Sequence, residues 1–156
     1  MKNVLKYGLA AGAGNIVLYL LFFWLQPNGL FPPALYWGTT VLVVLFVLLA
    51  LQADRQQSER YAFRAGLRTG FGVFALATLL FTAFYFVLLN YIDPGLIDLQ
   101  RSVMQERLGE LAGDFPRAYT GGDLAFTPTR ALFSLAQNLI GGFVLAAGAA
   151  FAMKRN

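Results

Sequence analysis

The sequence predicts an all-α polytopic membrane protein, with four transmembrane helices and an extracytoplasmic amphipathic helix between spans three and four. Composition is the first observation behind this. Of the 156 residues, 58% are hydrophobic and 13% charged, whereas a soluble domain carries roughly 25% charged residues. Run length is the second: apolar stretches at about 4–25, 34–52, 69–92 and 128–153 each supply the roughly 20 residues a helix needs to cross about 30 Å of hydrocarbon. The third is the acidic, turn-punctuated stretch 93–127. It leaves residues 1–156 as one transmembrane domain with a long outer loop.

Orientation follows from the basic residues. With alternating spans, one side of the membrane holds Lys2, Lys6, Arg55, Arg60, Arg64, Arg68, Lys154 and Arg155 with two acids, Asp54 and Glu59. The other holds Arg101, Arg107, Arg117 and Arg130 with Asp93, Asp98, Glu106, Glu110, Asp114 and Asp123. Loops rich in Lys and Arg stay in the cytoplasm, so both termini are expected there and residues 93–127 outside. The net charge of +4 arises from this bias and gives no reason to expect nucleic acid as a partner.

Span one begins like a signal peptide, with Lys2 and Lys6 ahead of Ala11-Gly12-Ala13, but its apolar run continues to Leu25 and reads as a retained helix. Gly8 and Gly12 form a G-x-x-x-G pair that lets another helix approach closely. Trp24 faces Tyr36 and Trp37 across "QPNGLFPP", an aromatic belt around a tight uncharged turn. Span two, "ALYWGTTVLVVLFVLLALQ", shows no polar face to turn inward; it is expected to be the most lipid-exposed span or one covered by a partner. Thr39 and Thr40 are expected to bond back to their own helix.

The loop "ADRQQSERYAFRAGLRTG" places Arg60, Arg64 and Arg68 at i, i+4 and i+8. On a helix these share one face, suited to anionic lipid headgroups or simply to water. Span three follows. It ends at "NYIDPGLIDLQRS", where Asp93 is a favoured cap and Pro94 fits the first position of a new helix. From 96 to 111, Leu96, Ile97, Leu99, Val103, Met104, Leu108 and Leu111 fall within about half of a helical circumference, with Gln100 and Arg107 intruding. Asp98, Ser102, Gln105 and Glu106 point outward and form a candidate docking surface for a partner. Thr127-Pro128 repeats the cap-plus-proline device and starts span four, where Gly141, Gly142 and Ala146 offer a small-residue surface expected to receive Gly8 and Gly12.

Four stretches together, "MKNVLKYGL", "YAFRAGLRTGFGV", "YIDP" and "LIGGFVLAAGAAFAMKRN", resemble the uncharacterised bacterial four-span proteins grouped as domain-of-unknown-function family number 4199. The most specific parts are Phe63, Gly66 and Gly70 in an F-x-x-G-x-x-x-G pattern and Asp93-Pro94. The resemblance covers essentially the whole chain and implies a bacterial inner (cytoplasmic) membrane protein. It carries no activity and no catalytic residue.

No catalytic constellation emerges from the residues. Histidine and cysteine are absent, which removes the commonest general base and thiolate chemistry. Glu106 and Glu110 share a helix face, but beside Arg107. No enzyme activity, metal or cofactor is expected. The expected role is an accessory or scaffold subunit of a larger membrane assembly, in contact with membrane lipids and with a membrane-protein partner or further copies of itself. The alternative is a small transporter or channel for a neutral solute, drawing on Asn15, Gln137 and Asn138.

Overall fold

In a computed structural model, which describes residues 2–25, 33–57, 61–99, 102 and 126–153, the long apolar runs become α1 (Lys2–Leu25), α2 (Pro33–Gln56), α3 (Phe63–Val87) and α4 (Pro128–Met153). All four are long and apolar enough to cross a membrane. The helices outrun the apolar stretches at the end where both termini lie. α2 continues through Asp54 and Arg55, and α3 begins at Phe63 instead of near 69. No proline interrupts these flanks, and their Arg, Gln and Ala residues favour a helix. Ala62 caps α3 in an extended conformation (φ −73°, ψ 145°). Of the three arginines predicted to share a helical face, Arg64 and Arg68 lie on α3, both exposed, and Arg60 lies outside the described residues.

α3 is the hub, packing on each of the other three helices, while α1 and α4 have no comparable contact with one another. Small residues set this arrangement. A methyl added to Gly8 would sit 2.8 Å from Leu76, and one added to Gly12 would sit 2.8 Å from Leu80, so α1 and α3 run parallel with two leucines seated over two glycines. On its other side α3 meets α4 in an antiparallel ladder: Gly66 against Ala150, Gly70 against Ala146, and Phe74 against Gly142. The glycine pair of α1 thus receives α3, in place of the expected α4 surface. Gly142 and Ala146 face α3, whereas Gly141 faces open space.

α2 is the second departure. Val43, Val47, Ala50 and Leu51 are buried with Ala11, Val73 and Ala77 in the core near the termini, so α2 is not the most lipid-exposed span. α4 buries only Ala131, Gly142, Ala146 and Ala150, and exposes Leu132, Phe133, Ile140, Val144 and Phe151. Lipid and protein core are equally apolar, so hydrophobicity cannot separate the two environments. Thr39 and Thr40 each donate to the Tyr36 carbonyl at 2.9 Å, as their position within a helix suggests.

The opposite end holds a second core of Tyr19, Leu35, Leu88, Leu89 and Leu96, with Phe81, Phe84, Tyr85 and Phe126 around it. Here α3 widens into a π-helical turn, Leu88–Ile92, closed by the Asp93 N–H donating to the Leu88 carbonyl at 2.8 Å. Trp24, Tyr36, Trp37 and Tyr91 are exposed around this end, as interfacial aromatics are in membrane proteins.

Candidate functional site

Two polar constellations organise the bundle, one at each end. Near the termini, the last turns of α2 carry Asp54 to the meeting point of three helices. Its carboxylate accepts hydrogen bonds from Asn3 Nδ2 on the first turn of α1 and from Thr69 Oγ1 on α3. Thr69 is buried, and Asn3 and Asp54 are half-buried. Hydrogen bonds to an ionised acceptor are roughly twice as strong as neutral ones. One side chain therefore clasps α1, α2 and α3 near the end of the bundle where both termini lie.

Tyr61, just before α3, is 2% exposed, and its hydroxyl has no hydrogen-bond partner among the described residues. Burial pushes its pKa up from the ordinary 10.0, and the negative charge of Asp54 adds to this. The phenol therefore stays neutral beside the clasp. Through its two hydrogen bonds the Asp54 carboxylate ties three helices together, an arrangement that suits holding the bundle.

At the other end the caps close as the sequence suggests. The Asp93 carboxylate accepts from the Gly95 N–H at 3.1 Å, and residues 95–99 are helical. The Thr127 hydroxyl accepts from the Arg130 N–H at 3.2 Å, with Pro128 in the first helical position. Asn90 joins the two devices by donating to the Phe86 carbonyl at 2.9 Å and the Phe126 carbonyl at 3.1 Å. Leu96 is buried, and Ile97 and Leu99 pack on the same core. The apolar face of the outer segment, as far as it is described, thus lies on the bundle. Asp98 and Ser102 are exposed, while Gln105 and Glu106 lie outside the described residues.

The polar residues of the spans do not converge. Asn15 is buried on α1, one turn before Tyr19, and Asn15 Oδ1 and the Tyr19 hydroxyl lack partners among the described residues. Tyr19 is ringed by Phe81, Phe84 and Tyr85 at centroid distances of 5.6–6.1 Å. Gln137 and Asn138 are instead exposed on α4. The hub helix separates these groups, so they do not line one path.

Among the described residues, no group of three or more metal-ligating side chains forms. Sequence reasoning misses the Asp54 clasp, because its members are 15 and 51 residues apart along the chain. A signal does exist in the sequence: Asp54 is an acid at the end of an apolar helix, in a flank where Arg55, Arg60, Arg64 and Arg68 outnumber it and Glu59.

A family profile described as "Protein of unknown function (DUF4199)" matches residues 6–155. The chain belongs to this family. No curated protein and no solved structure matches it. This DUF4199 member is a helical protein with four candidate membrane spans.

Proposed function

We propose that this protein is a non-catalytic structural subunit of a larger assembly in the bacterial inner membrane, with both termini cytoplasmic and residues 93–127 outside. The observation that carries the reading is the exposure of Gln137 and Asn138 near the middle of α4. An amide left without a partner in hydrocarbon costs several kcal/mol on the order of a lost hydrogen bond. Helices retain such groups on an outer face when another protein surface meets them. The outer segment supports the same reading. It seats Leu96, Ile97 and Leu99 on the bundle and turns Asp98 and Ser102 to water, leaving a polar ledge beside the membrane.

Purification from native membranes in mild detergent tests this. The expected particle is larger than one 17.1 kDa chain. Charge reversal by Asp98→Lys with Glu106→Lys is expected to release a component docked on this side of the bundle. Migration as a lone chain under the gentlest extraction would overturn the reading.

The buried Asn15 Oδ1 and Tyr19 hydroxyl, without hydrogen-bond partners among the described residues, favour a second reading, passage of a small neutral solute beside α1. Solute uptake into proteoliposomes that falls with Asn15→Val would support it; equal uptake would remove it.

A further inference from the structure

We propose that α4 is a self-pairing helix, and that two copies of this chain meet in parallel along Ser134, Asn138, Gly141, Leu145, Gly148 and Ala152. The proposal rests on the subunit reading above and names the partner. These six residues recur at alternating steps of four and three, the 3.5-residue period of two helices wound around each other in a left-handed crossing. Asn138, Gly141, Gly148 and Ala152 are exposed, and Ser134 and Leu145 are partly exposed. A methyl added to Gly141 or Gly148 would meet nothing within 4 Å, so no other described part of the bundle fills the space at either glycine. The stripe is distinct from the one α4 uses within the chain, where Gly142, Ala146 and Ala150 face α3.

Leu145 is the one large side chain in the stripe, and its position suits the pairing. In two parallel helices wound together, each seam residue inserts into a hole bounded by the seam residues before and after its counterpart on the other helix. For Leu145 those two are Gly141 and Gly148 of the second copy. The space left at each glycine is thus the socket for a leucine, and one sequence supplies both the projection and the hollow.

Shape alone would say little about a partner. Asn138 decides it. It lies near the middle of the 26-residue helix, on the same stripe, where lipid offers no hydrogen bond. The distribution of basic residues orients every copy the same way across the membrane, so two α4 helices run parallel. A two-fold axis normal to the membrane then places Asn138 against Asn138 of the other copy. A carboxamide carries both donors and an acceptor, so an identical group satisfies it. A single amide in an otherwise small or apolar seam also fixes the register of a parallel pair. An unrelated helix would need a matching amide at the same depth and hollows spaced to admit Leu145; a second copy brings both.

The chain has no cysteine, which makes cross-linking direct. Gly141→Cys and Gly148→Cys, each alone, are expected to form a disulfide-linked dimer on oxidation in native membranes. Ile140→Cys, exposed on α4 but off the seam, is not. Self-association of labelled protein diluted in lipid vesicles should weaken about three- to tenfold with Asn138→Leu, the loss of one or two interhelical hydrogen bonds. It should disappear with Gly141→Leu combined with Gly148→Leu, which fills the sockets and holds the backbones apart. Melting of each variant in detergent confirms that the monomer is folded. Equal cross-linking at Ile140→Cys and Gly141→Cys, or association unchanged by Asn138→Leu, overturns the proposal. A photo-reactive thiol label on Gly148→Cys separates the two readings. Capture of a different membrane protein in place of a second copy removes self-pairing and leaves the subunit reading standing; capture of nothing removes both.

Discussion

Whether a glycine matters here depends on which neighbour its missing side chain admits. Gly142 exists for the ring of Phe74: a methyl there would lie 2.1 Å from ring carbons, so the ring must swing out of the α3–α4 seam. Gly38 differs, since a methyl would meet Leu18 at an ordinary 3.5 Å. Gly142→Ala is therefore expected to destabilise the bundle by about 1–3 kcal/mol through overpacking. Gly38→Ala should be neutral or stabilising by up to about 1 kcal/mol, because the unfolded chain loses freedom. Thermal unfolding of both variants in the same detergent checks the pair, and equal melting temperatures would contradict the packing described. The sequence groups Gly142 with Gly141 in one small-residue surface and does not tell them apart, although a methyl at Gly141 would meet nothing within 4 Å, because the discriminating atoms belong to other helices.

At the scale of the element, capping was legible and pairing was not. Asp93-Pro94 and Thr127-Pro128 announce their helix starts because a cap acts within three or four residues of sequence. Thr127→Ala removes the acceptor for the Arg130 N–H and is expected to cost about 1 kcal/mol, seen as a lower melting temperature. Thr127→Ser, which keeps the hydroxyl, should restore most of it. An unchanged melting temperature in Thr127→Ala would show that the connection through Asn90 and Phe126 holds this end without the cap. The π-helical turn at Leu88–Ile92 carries no such local signature. It forms where Asn90 reaches the Phe126 carbonyl, 36 residues away. The Asp54 clasp was hidden for the same reason, since Asn3 and Thr69 become its neighbours only once the helices have packed.

At the scale of the whole molecule, hydropathy gave the four spans, and charge bias predicts an orientation that can be measured. Cysteine placed at Ser102 should react with an impermeant thiol reagent in intact cells, whereas cysteine at Ser58 should be silent until the cells are opened; the reverse pattern would invert the protein in the membrane. What hydropathy could not give was the centre of the bundle. Every span is apolar enough to face lipid, and only the fit of Leu76 and Leu80 over Gly8 and Gly12, and of Ala146 and Ala150 over Gly70 and Gly66, makes α3 the hub. That position has a consequence for biogenesis. Synthesis proceeds from the N-terminus, so α1 and α2 reach the membrane before the helix that organises them, and they can hold one another only through contacts such as Gly14 with Leu42. Asp54 then waits for half of its donors, because Thr69 arrives with α3. The groove of Gly66 and Gly70 waits longer still, through the whole of residues 93–127, before α4 can fill it. A nascent chain paused after Ile92 would therefore present that groove sideways to the bilayer, in the state most open to capture by an insertion factor or by the α4 of another copy.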